Sequence, residues 1–243
     1  MMQSKKLFIH GGSSLITKYL IQNFVKDFSE FHIFCRNKDK SVKILDIQNY
    51  TGKKFIFYEN DLNDINKTLN DINKLPTDLS GVLWVTGYTG DPEEEYLDID
   101  KLKLNINVNF TNVIISLTKI TNNIILNNSS FVCVITSVAG IRGRKKRLFY
   151  SSAKGGLINF LSGLRQKFNN RLKVITVVPG YILTNSFQEK ANKFLMTSAE
   201  KSGKIIYSGV KKNKEIIFIN SLWRIIMFFI LLIPEKIFKK LNF

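Results

Sequence analysis

Three residues whose side chains could act together on a carbonyl group lie close in the sequence: Ser137, Tyr150 and Lys154. Tyr150 and Lys154 are four positions apart, so a helix would place both side chains on one face. An ammonium beside a phenol favours the phenolate and lowers the phenol pKa, which makes the phenol a workable proton donor. Ser137 follows a β-type run and could hydrogen-bond the same substrate oxygen. The set suits carbonyl reduction or its reverse, whereas a Tyr-x-x-x-Lys pair alone is common in ordinary helices.

Alternating strand-like and helix-like segments would position these residues. Seven apolar runs are typical of buried strands: 5–10, 31–35, 54–58, 81–86, 131–136, 173–178 and 215–219. Helical apolar spacing separates most of them, including one long helix predicted over 101–126. Strands that alternate with helices predict an α/β fold with a doubly wound, Rossmann-like parallel sheet. Ligands of such sheets bind at the carboxyl ends of the strands.

The turn after the first run has the sequence GGSS at positions 11–14 and leads into a helix that is predicted to reach about residue 28. Free backbone N–H groups and the helix dipole both favour an anion at such a turn. The expected ligand is the pyrophosphate of a dinucleotide. The usual fingerprint carries three spaced glycines, and here Leu15 and Thr17 occupy the second and third places.

The sequence from about residue 5 to about residue 187 resembles the short-chain dehydrogenase/reductases. The resemblance implies that Ser137, Tyr150 and Lys154 are catalytic. It also implies that Asn109, in NINVNFTN, holds a water that relays protons from the lysine. The implied cofactor is NADPH, with NADH as the alternative, bound by Gly11, Gly12, Ser13, Ser14, Ile16, Arg36, Asp61, Leu62, Gly87, Tyr150, Lys154, Pro179, Gly180 and Thr184. No metal site is expected.

Two of these sites concern the adenosine half of the cofactor: one bears on whether it is NADPH or NADH, and the other on the adenine contact. Arg36 follows the second strand, where an arginine accommodates a 2′-phosphate and an acid binds the ribose hydroxyl, so Arg36 favours NADPH. By resemblance, Asp61 with Leu62 contacts the adenine, although Asp61 could instead cap the helix predicted over 63–74. At residues 86–88 the sequence Thr-Gly-Tyr replaces the family's Asn-Asn-Ala-Gly, which is a departure from the pattern.

The composition bounds the class of partner. The chain has 36 Lys and Arg against 19 Asp and Glu, a net charge of +17, which would attract phosphates or anionic lipid. Nucleic acid is not expected, since no basic stretch is interleaved with aromatic residues. Cys35 and Cys133 fall in predicted buried strands and indicate neither a disulfide nor a metal. A first strand beginning at about residue 5 leaves no room for a signal peptide, so a cytoplasmic protein is expected.

The carboxyl-terminal part is predicted to hold two special segments. A polar run at about 185–214 is expected to be a mobile substrate lid on a reductase domain of residues 1–219, and the acidic stretch 91–100 a solvated loop that opens a helix. Residues 220–243 form an apolar and basic helical tail whose uninterrupted apolar run, Ile225–Ile233, is too short to span a bilayer. The tail is either a core or dimer-interface helix or a membrane-surface helix. The second interpretation is favoured; it places Trp223, Phe228, Phe229, Ile237 and Phe238 at the bilayer surface and Arg224, Lys236, Lys239 and Lys240 at the headgroups.

Within the family, GGSSLIT, the basic loop before FYSSAKGGL and the tail IPEKIFKKL resemble reductases of a keto-pentose carried on a polyprenyl phosphate, a precursor of cell-envelope polysaccharide. This resemblance implies a flavin oxidase partner that makes the ketone and a position on the inner face of the cell membrane. The basic loop 142–147 could contact the substrate phosphate. A generic lipid or oxoacyl carbonyl reductase and a non-catalytic nucleotide-binding scaffold stay open, as does a homo-oligomer.

Overall fold

The computed structural model describes residues 5–124, 130–169, 171–183 and 193–241. In chain order the strands are β1 (Lys6–His10), β2 (Glu30–Cys35), β3 (Lys54–Glu59), β4 (Leu79–Trp84), β5 (Phe131–Ile135), β6 (Lys173–Val178), β7 (Tyr181–Leu183), β8 (Met196–Ser198) and β9 (Ile216–Phe218). Seven of them form a parallel sheet in the order β3-β2-β1-β4-β5-β6-β9, and β7 pairs with β8. These seven are the predicted apolar runs, and the α/β doubly wound fold is confirmed.

The helices lie on both faces of this sheet. They are α1 (Leu15–Phe24), α2 (Lys38–Leu45), α3 (Ile65–Ile72), α4 (Pro92–Leu97), α5 (Ile99–Ile106), α6 (Asn112–Asn123), α7 (Leu148–Phe168), α8 (Ala199–Lys211), α9 (Ser221–Leu232) and α10 (Glu235–Phe238). Alternate residues of a strand point to opposite faces. Phe8 therefore packs with residues of α6 and α7, while its neighbours Leu7 and Ile9 pack with residues of α1 and α8. Both faces of the sheet are buried, as parallel sheets require.

The acidic stretch 91–100 is more ordered than predicted. It forms the short helix α4 and the start of α5 rather than a solvated loop. Asp91 caps α4 by accepting the backbone N–H groups of Glu93 and Glu94, and Asp98 caps α5 in the same way. The two aspartates satisfy N–H groups that every helix leaves open at its start, which is why so acidic a sequence folds here.

The long helix predicted over 101–126 is interrupted in its middle. Helical backbone runs from α5 into α6, but residues Asn107–Thr111 form a π turn in which the N–H of Asn112 bonds the carbonyl of Asn107. A π turn adds one residue to the helical repeat and shifts the following side chains around the axis. Asn109 lies within this turn, so the irregularity falls on a residue of functional interest.

The substrate lid predicted over 185–214 stays a prediction, and the structure shows a packed helix in the second half of this segment. Residues 184–192, which include most of its beginning, lie outside the described residues. From Ala199 onward the chain is helix α8, which packs closely on α1. Ile206 is 1% exposed, and Gly203 lies against Tyr19 so closely that a Cβ at this position would come within 2.8 Å of the Tyr19 Cβ. The apolar periodicity of this segment is weak because α8 contacts α1 partly through small residues, and for this reason the sequence did not predict the helix.

The tail folds back onto the sheet. Trp223 and Met227 on the inner side of α9 are buried against Val138 and Val178, and Pro234 separates α9 from α10. In the described part of the chain, none of the helices is both long enough and apolar enough to cross a bilayer. The division between a domain of residues 1–219 and a tail of 220–243 stays a prediction.

Candidate active site

Ser137, Tyr150 and Lys154 line one cleft at the carboxyl ends of β4, β5 and β6. Ser137 begins a short 3₁₀ turn directly after β5, where its hydroxyl caps the turn by accepting the N–H of Ala139 at 3.1 Å. Tyr150 and Lys154 come from the first two turns of α7, and the Lys154 Nζ lies 5.8 Å from the centre of the Tyr150 ring. The fold therefore brings together the three side chains that the sequence singled out.

The electrostatics of Tyr150 differ from the expectation. Burial raises the Tyr150 pKa above its ordinary value, while a hydrogen bond with Ser137 and the charge of Arg147 act in the lowering direction. Burial also lowers the pKa of Lys154, from 10.5 to about 8. The net direction is opposite to the predicted acidification of the phenol, and the action of the Lys154 ammonium on it stays a prediction. The phenol is protonated at neutral pH, and Arg147, which sequence reasoning did not single out individually, is a cation that acts on it.

Lys154 is held from two sides. Its side chain is 2% exposed, and its ammonium donates a hydrogen bond to the carbonyl of Ile135, the last residue of β5, at 3.3 Å. On the other side lies Gly87, where a Cβ would stand 3.5 Å from the Lys154 Nζ and 3.5 Å from the Asn109 Oδ1. A side chain at position 87 would fill the space beside both groups. Gly87 therefore leaves the floor of the cleft free of a side chain, and its predicted contact with the cofactor stays a prediction.

Asn109 is completely buried in the π turn and bonds the segment after β4. Its Oδ1 accepts the N–H of Tyr88 at 3.0 Å, and its Nδ2 donates to the carbonyls of Tyr88 and Asn105 and to the Asn105 Oδ1. The amide of Asn109 is thus occupied by protein partners, and it holds Tyr88, and with it Gly87, in place. Because the side-chain amide is occupied, a water held by Asn109 would have to bind its backbone carbonyl. A π turn disturbs the regular pairing of helix carbonyls and can leave one of them open to such a water.

The glycine turn packs tightly against β2. Gly11 has φ +112°, a conformation that favours glycine, and Gly12 lies so close to β2 that a Cβ would meet the Ile33 Cγ2 at 2.6 Å. Both N–H groups bond the carbonyl of Phe34 at 3.0 Å, so the turn is fixed against β2 rather than left open. Thr17, in the place of the third glycine, donates its hydroxyl to the Gly11 carbonyl at 2.7 Å. The departure from the glycine pattern thus tightens the turn.

The residues beyond this turn lie along the cleft. Ser13, Ser14 and Ile16 line it together with Leu15, and Ser14 caps α1. Gly11 and Gly12 lie behind them and shape the turn. A cleft of about 700 Å³ extends from this helix start past Gly87 to the catalytic residues, and it has room for an extended ligand.

At the carboxyl end of β2 the structure adds a residue that sequence reasoning missed. Arg36 is exposed and does not line the cleft, whereas Lys40, in the first turn of α2, does. Asp61 is exposed and accepts the N–H of Asn63, while α3 is capped by Asp64. Leu62 is buried in the core, so only its backbone could reach a ligand. The proposed adenine contact of Asp61 and Leu62 stays a prediction.

The segment after β6 forms another wall of the cleft. The Pro179 carbonyl accepts the N–H of Val138, which fixes this segment to the turn that follows Ser137. Gly180 faces the indole of Trp223, and a Cβ at Gly180 would overlap that ring. Trp223 in turn donates its indole N–H to the Leu195 carbonyl at 3.0 Å. Helix α9 therefore contributes to the cleft, which the sequence did not indicate. Thr184 lies outside the described residues.

The basic loop divides into two parts. Arg144 and Arg147 line the cleft, but Arg142 points away to the tail. The Arg142 guanidinium donates to the carbonyls of Ile230 and Ile233 and to the Glu235 carboxylate. The expectation that the whole loop contacts a substrate phosphate is wrong for Arg142, because its donors are committed to the carboxyl end of α9.

The described residues contain no cluster of His, Cys, Asp and Glu suited to a metal ion. Cys35 and Cys133 are free thiols, and both are buried in strands. Burial raises the Cys133 pKa, which makes it an unreactive thiol.

Comparison with known proteins agrees with this fold. Residues 5–194 match the family model for short chain dehydrogenases. A short-chain dehydrogenase from Burkholderia cenocepacia J2315, solved in complex with NADP, is similar at a TM-score of 0.80 with 13% identity, covering 99% of this chain and 98% of that one. A 3-oxoacyl-[acyl-carrier protein] reductase from Brucella melitensis, solved in complex with NAD, is similar at 0.77 with 17% identity, covering 93% and 99%. At these identities the two structures support the fold alone.

The chain belongs to the short-chain dehydrogenase family. It is therefore an oxidoreductase of the kind that uses a nicotinamide dinucleotide, and the glycine turn, the open floor at Gly87 and the length of the cleft fit such a cofactor.

Proposed function

We propose that this protein reduces the ketone of a pentose carried on a polyprenyl phosphate, using NADPH. In this role it would resemble the keto-reductase subunit of decaprenylphosphoryl-β-D-ribose 2′-epimerase, and a flavin oxidase would supply the ketone. The observation that carries the proposal is the convergence of Tyr150, Lys154 and two arginines, Arg144 and Arg147, on one cleft whose wall includes α9.

The placement of Ser137, Tyr150 and Lys154 in one cleft supports the following proposed roles. A reduced nicotinamide bound in this cleft would supply the hydride that the carbonyl carbon accepts. As the carbonyl π pair moves to oxygen, Tyr150 gives that oxygen its phenol proton, and Ser137 donates a hydrogen bond that orients it. Lys154, buried below them, restores the proton to the phenolate and can bind the ribose hydroxyls of the cofactor. Asn109 anchors the end of this proton relay through the π turn.

The choice of NADPH rests on cations after β2. Arg36 and Lys40 follow this strand on the exposed surface, and Lys40 lines the cleft. A 2′-phosphate would gain charge-assisted hydrogen bonds from them, whereas the described residues that line the cleft include no carboxylate to bind a free 2′-hydroxyl. NADH remains the alternative.

The cleft arginines favour an anionic substrate. Arg144 and Arg147 line the same cleft as Tyr150, and the charge of Arg147 acts on the Tyr150 phenol. Guanidinium groups bind phosphate oxygens in pairs of parallel hydrogen bonds, so a phosphate linked to the sugar would hold its ketone near the phenol. A 3-oxoacyl thioester could also reach Tyr150, but its reactive end carries no such phosphate.

A lipid-linked substrate also accounts for the outer face of the tail. Large apolar side chains on α9 and α10 are more than half exposed: Ile225, Phe228, Phe229, Leu231, Leu232 and Ile237. Exposed cations lie in the same two helices or directly after them, at Arg224, Lys236, Lys239 and Lys240. Beside α9, a groove of about 440 Å³ is lined by Lys201, Lys204, Lys214 and Arg224. Exposed apolar residues with cations in the same helices fit an anionic bilayer surface. We propose that this face of the tail binds the inner surface of the cell membrane.

Two of the residues expected at the bilayer lie elsewhere. Trp223 is 7% exposed and faces the cleft, and Phe238 is covered by the guanidinium of Arg142. The membrane face therefore consists of the outer side of α9 and of Ile237, without these two rings. A homo-oligomer, common in the family, stays a prediction.

Turnover of NADPH tests the chemistry. Tyr150→Phe should lower the rate of keto-pentose reduction by roughly 10³-fold, since general acid catalysis contributes about 10²–10⁴. Tyr181→Phe, a second tyrosine of the cleft, should keep most of the activity. Equal rates for wild type and Tyr150→Phe would favour the non-catalytic scaffold. Faster turnover of a 3-oxoacyl thioester than of the lipid-linked ketone would favour the generic lipid reductase.

Vesicle sedimentation tests the membrane face. The double variant Phe228→Ser/Phe229→Ser should bind vesicles of anionic phospholipid at least tenfold more weakly than wild type. Tyr96→Ser/Leu97→Ser removes two exposed apolar side chains of α4 and should bind like wild type. Equal binding by both double variants, or equal binding of wild type to neutral and anionic vesicles, would reject this surface.

A further inference from the structure

Glu95 is a buried carboxylate at some distance in sequence from the catalytic residues. It is 2% exposed, whereas Glu93 and Glu94 on the same short helix are exposed. The fold makes room for it: Gly90 has φ +57°, and a Cβ there would overlap the Glu95 Oε1. A carboxylate is costly to bury, and one that is enclosed so closely needs hydrogen-bond partners.

A chain of amide groups leads from Glu95 toward the cleft. The Asn105 Nδ2 donates to the Glu95 Oε1 at 2.6 Å, and the Asn109 Nδ2 donates to the Asn105 Oδ1 at 2.8 Å. The N–H of Tyr88 then donates to the Asn109 Oδ1 at 3.0 Å. Asn105 and Asn109 are fully buried, so water does not compete for these bonds.

This series of hydrogen-bonded amide groups ends beside Lys154. Tyr88 follows Gly87, which lines the cleft and lies between the Asn109 Oδ1 and the Lys154 Nζ. Whatever fixes the amide of Asn109 therefore also fixes the floor of the cleft next to the lysine.

The two ends of this hydrogen-bonded series decide which groups donate and which accept along it. An asparagine amide can present either its oxygen or its NH₂ group to a neighbour, but an ionised carboxylate only accepts and a backbone N–H only donates. With Glu95 at one end and the Tyr88 N–H at the other, each asparagine has one orientation that satisfies every partner. A neutral amide at position 95 would remove the first of these constraints.

We infer that Glu95 is a positioning residue, which acts through Asn105 and Asn109 to hold Gly87 and Tyr88 in the arrangement that the reduction requires. This inference rests on the proposed reductase function. It assigns no contact between Glu95 and substrate or cofactor.

Exchanging the two ends of one hydrogen bond tests the inference. Glu95→Gln keeps the size of the side chain but can present either an oxygen or an NH₂ group to Asn105, so position 95 no longer sets the orientation of Asn105. Glu95→Gln/Asn105→Asp restores the order, since the amide introduced at position 95 would donate to the carboxylate introduced at position 105, which would still accept from Asn109. Asn105→Asp alone places two carboxylates in contact. Glu94→Gln is the matched control, because Glu94 is exposed and pairs with Lys101 at 2.8 Å.

Hydrogen exchange of the Tyr88 amide, followed by NMR without substrate, reads the chain directly. We expect Glu95→Gln to exchange at least tenfold faster than wild type, and the double variant to return most of that protection. In NADPH turnover, kcat of Glu95→Gln should fall about tenfold with KM within twofold, and the double variant should regain most of it. If Glu95→Gln does not fold, a folded double variant with a protected Tyr88 amide supports the same assignment.

Wild-type exchange in Glu95→Gln would overturn the inference, as would a double variant worse than both single variants. Faster exchange with unchanged kcat would also overturn it, since Glu95 would then serve stability only. Absence of turnover in the wild type would instead count against the proposed function, and the exchange measurement would still decide the direction of the amide chain.

Discussion

The guanidinium carbon of Arg142 lies 3.7 Å from the centre of the Phe238 ring. The same guanidinium bonds the last carbonyls of α9, where a cation also complements the helix dipole. One side chain from the loop after β5 thus ties down both helices of the tail.

Replacing Arg142 should loosen the tail without unfolding the sheet. A cation–π contact and hydrogen bonds from a charged donor together contribute about 3 kcal/mol, so Arg142→Ala should expose the tail roughly 10²-fold more often. Limited trypsin digestion should then cleave at Lys236 or Lys239 much faster. Lys145→Ala, an exposed neighbour in the same loop, controls for the loss of one charge. Equal cleavage rates for the two variants would show that Arg142 does not hold the tail.

Lys154 should leave a signature in the pH dependence of stability. Its pKa is lowered by burial from 10.5 to about 8, so between these values the unfolded chain binds a proton that the folded protein lacks. Stability of the wild type therefore rises with pH across this window relative to Lys154→Met. The stability advantage of the Met variant should shrink by about 3 kcal/mol between pH 8 and pH 10.5, as measured by urea unfolding. Lys167→Met, exposed on the same helix, is the control.

A constant difference between wild type and Lys154→Met across that window would mean that the ammonium is not buried as described. The comparison uses the protein without substrate, so it is independent of the proposed activity.

Arg147 should tune the phenol. Its charge acts to lower the Tyr150 pKa, so Arg147→Ala should raise that pKa further. Reduction needs the protonated phenol, and the alkaline limb of the pH–rate profile should therefore move to higher pH. Loss of the guanidinium should also raise KM for a phosphate-bearing ketone about tenfold. Lys146→Ala, exposed in the same loop, should change neither quantity, and an alkaline limb that moves to lower pH would contradict this role.

Lys40 should discriminate between the two nicotinamide cofactors. Lys40→Glu places a negative charge where a 2′-phosphate would bind, and we expect KM for NADPH to rise by roughly 10–100-fold with KM for NADH within twofold. Steady-state kinetics with each cofactor measures the ratio. Lys43→Glu, exposed one turn later on α2, carries the same charge change away from the cleft lining. A similar loss with both cofactors would place Lys40 outside the 2′-phosphate site.

The sheet could be predicted because each strand is a continuous apolar run bounded by polar turns, as burial on both faces demands. The positions of Ser137, Tyr150 and Lys154 followed from a strand end and a four-residue helical spacing. These are local patterns, and local patterns are what a sequence displays.

The parts that could not be predicted depend on contacts between distant segments. The π turn places the Asn109 side chain where its Oδ1 accepts the N–H of Tyr88. The packing of α8 on α1 depends on the absence of a side chain at Gly203. The separation of Arg142 from Arg147 depends on where the tail returns. The Tyr150 pKa depends on burial, which the spacing of two residues does not report.

Trp223 and the exposed Phe228 belong to the same twelve-residue helix, one facing the catalytic cleft through Gly180 and the other facing outward. A membrane bound to the outer side of α9 and a ligand bound in the cleft would contact opposite sides of the same helix. If a ligand on either face shifts this helix, the two binding free energies are linked, and by thermodynamic reciprocity each ligand changes the affinity of the other by the same factor. Affinity for a bilayer would become a reporter of what the cleft contains.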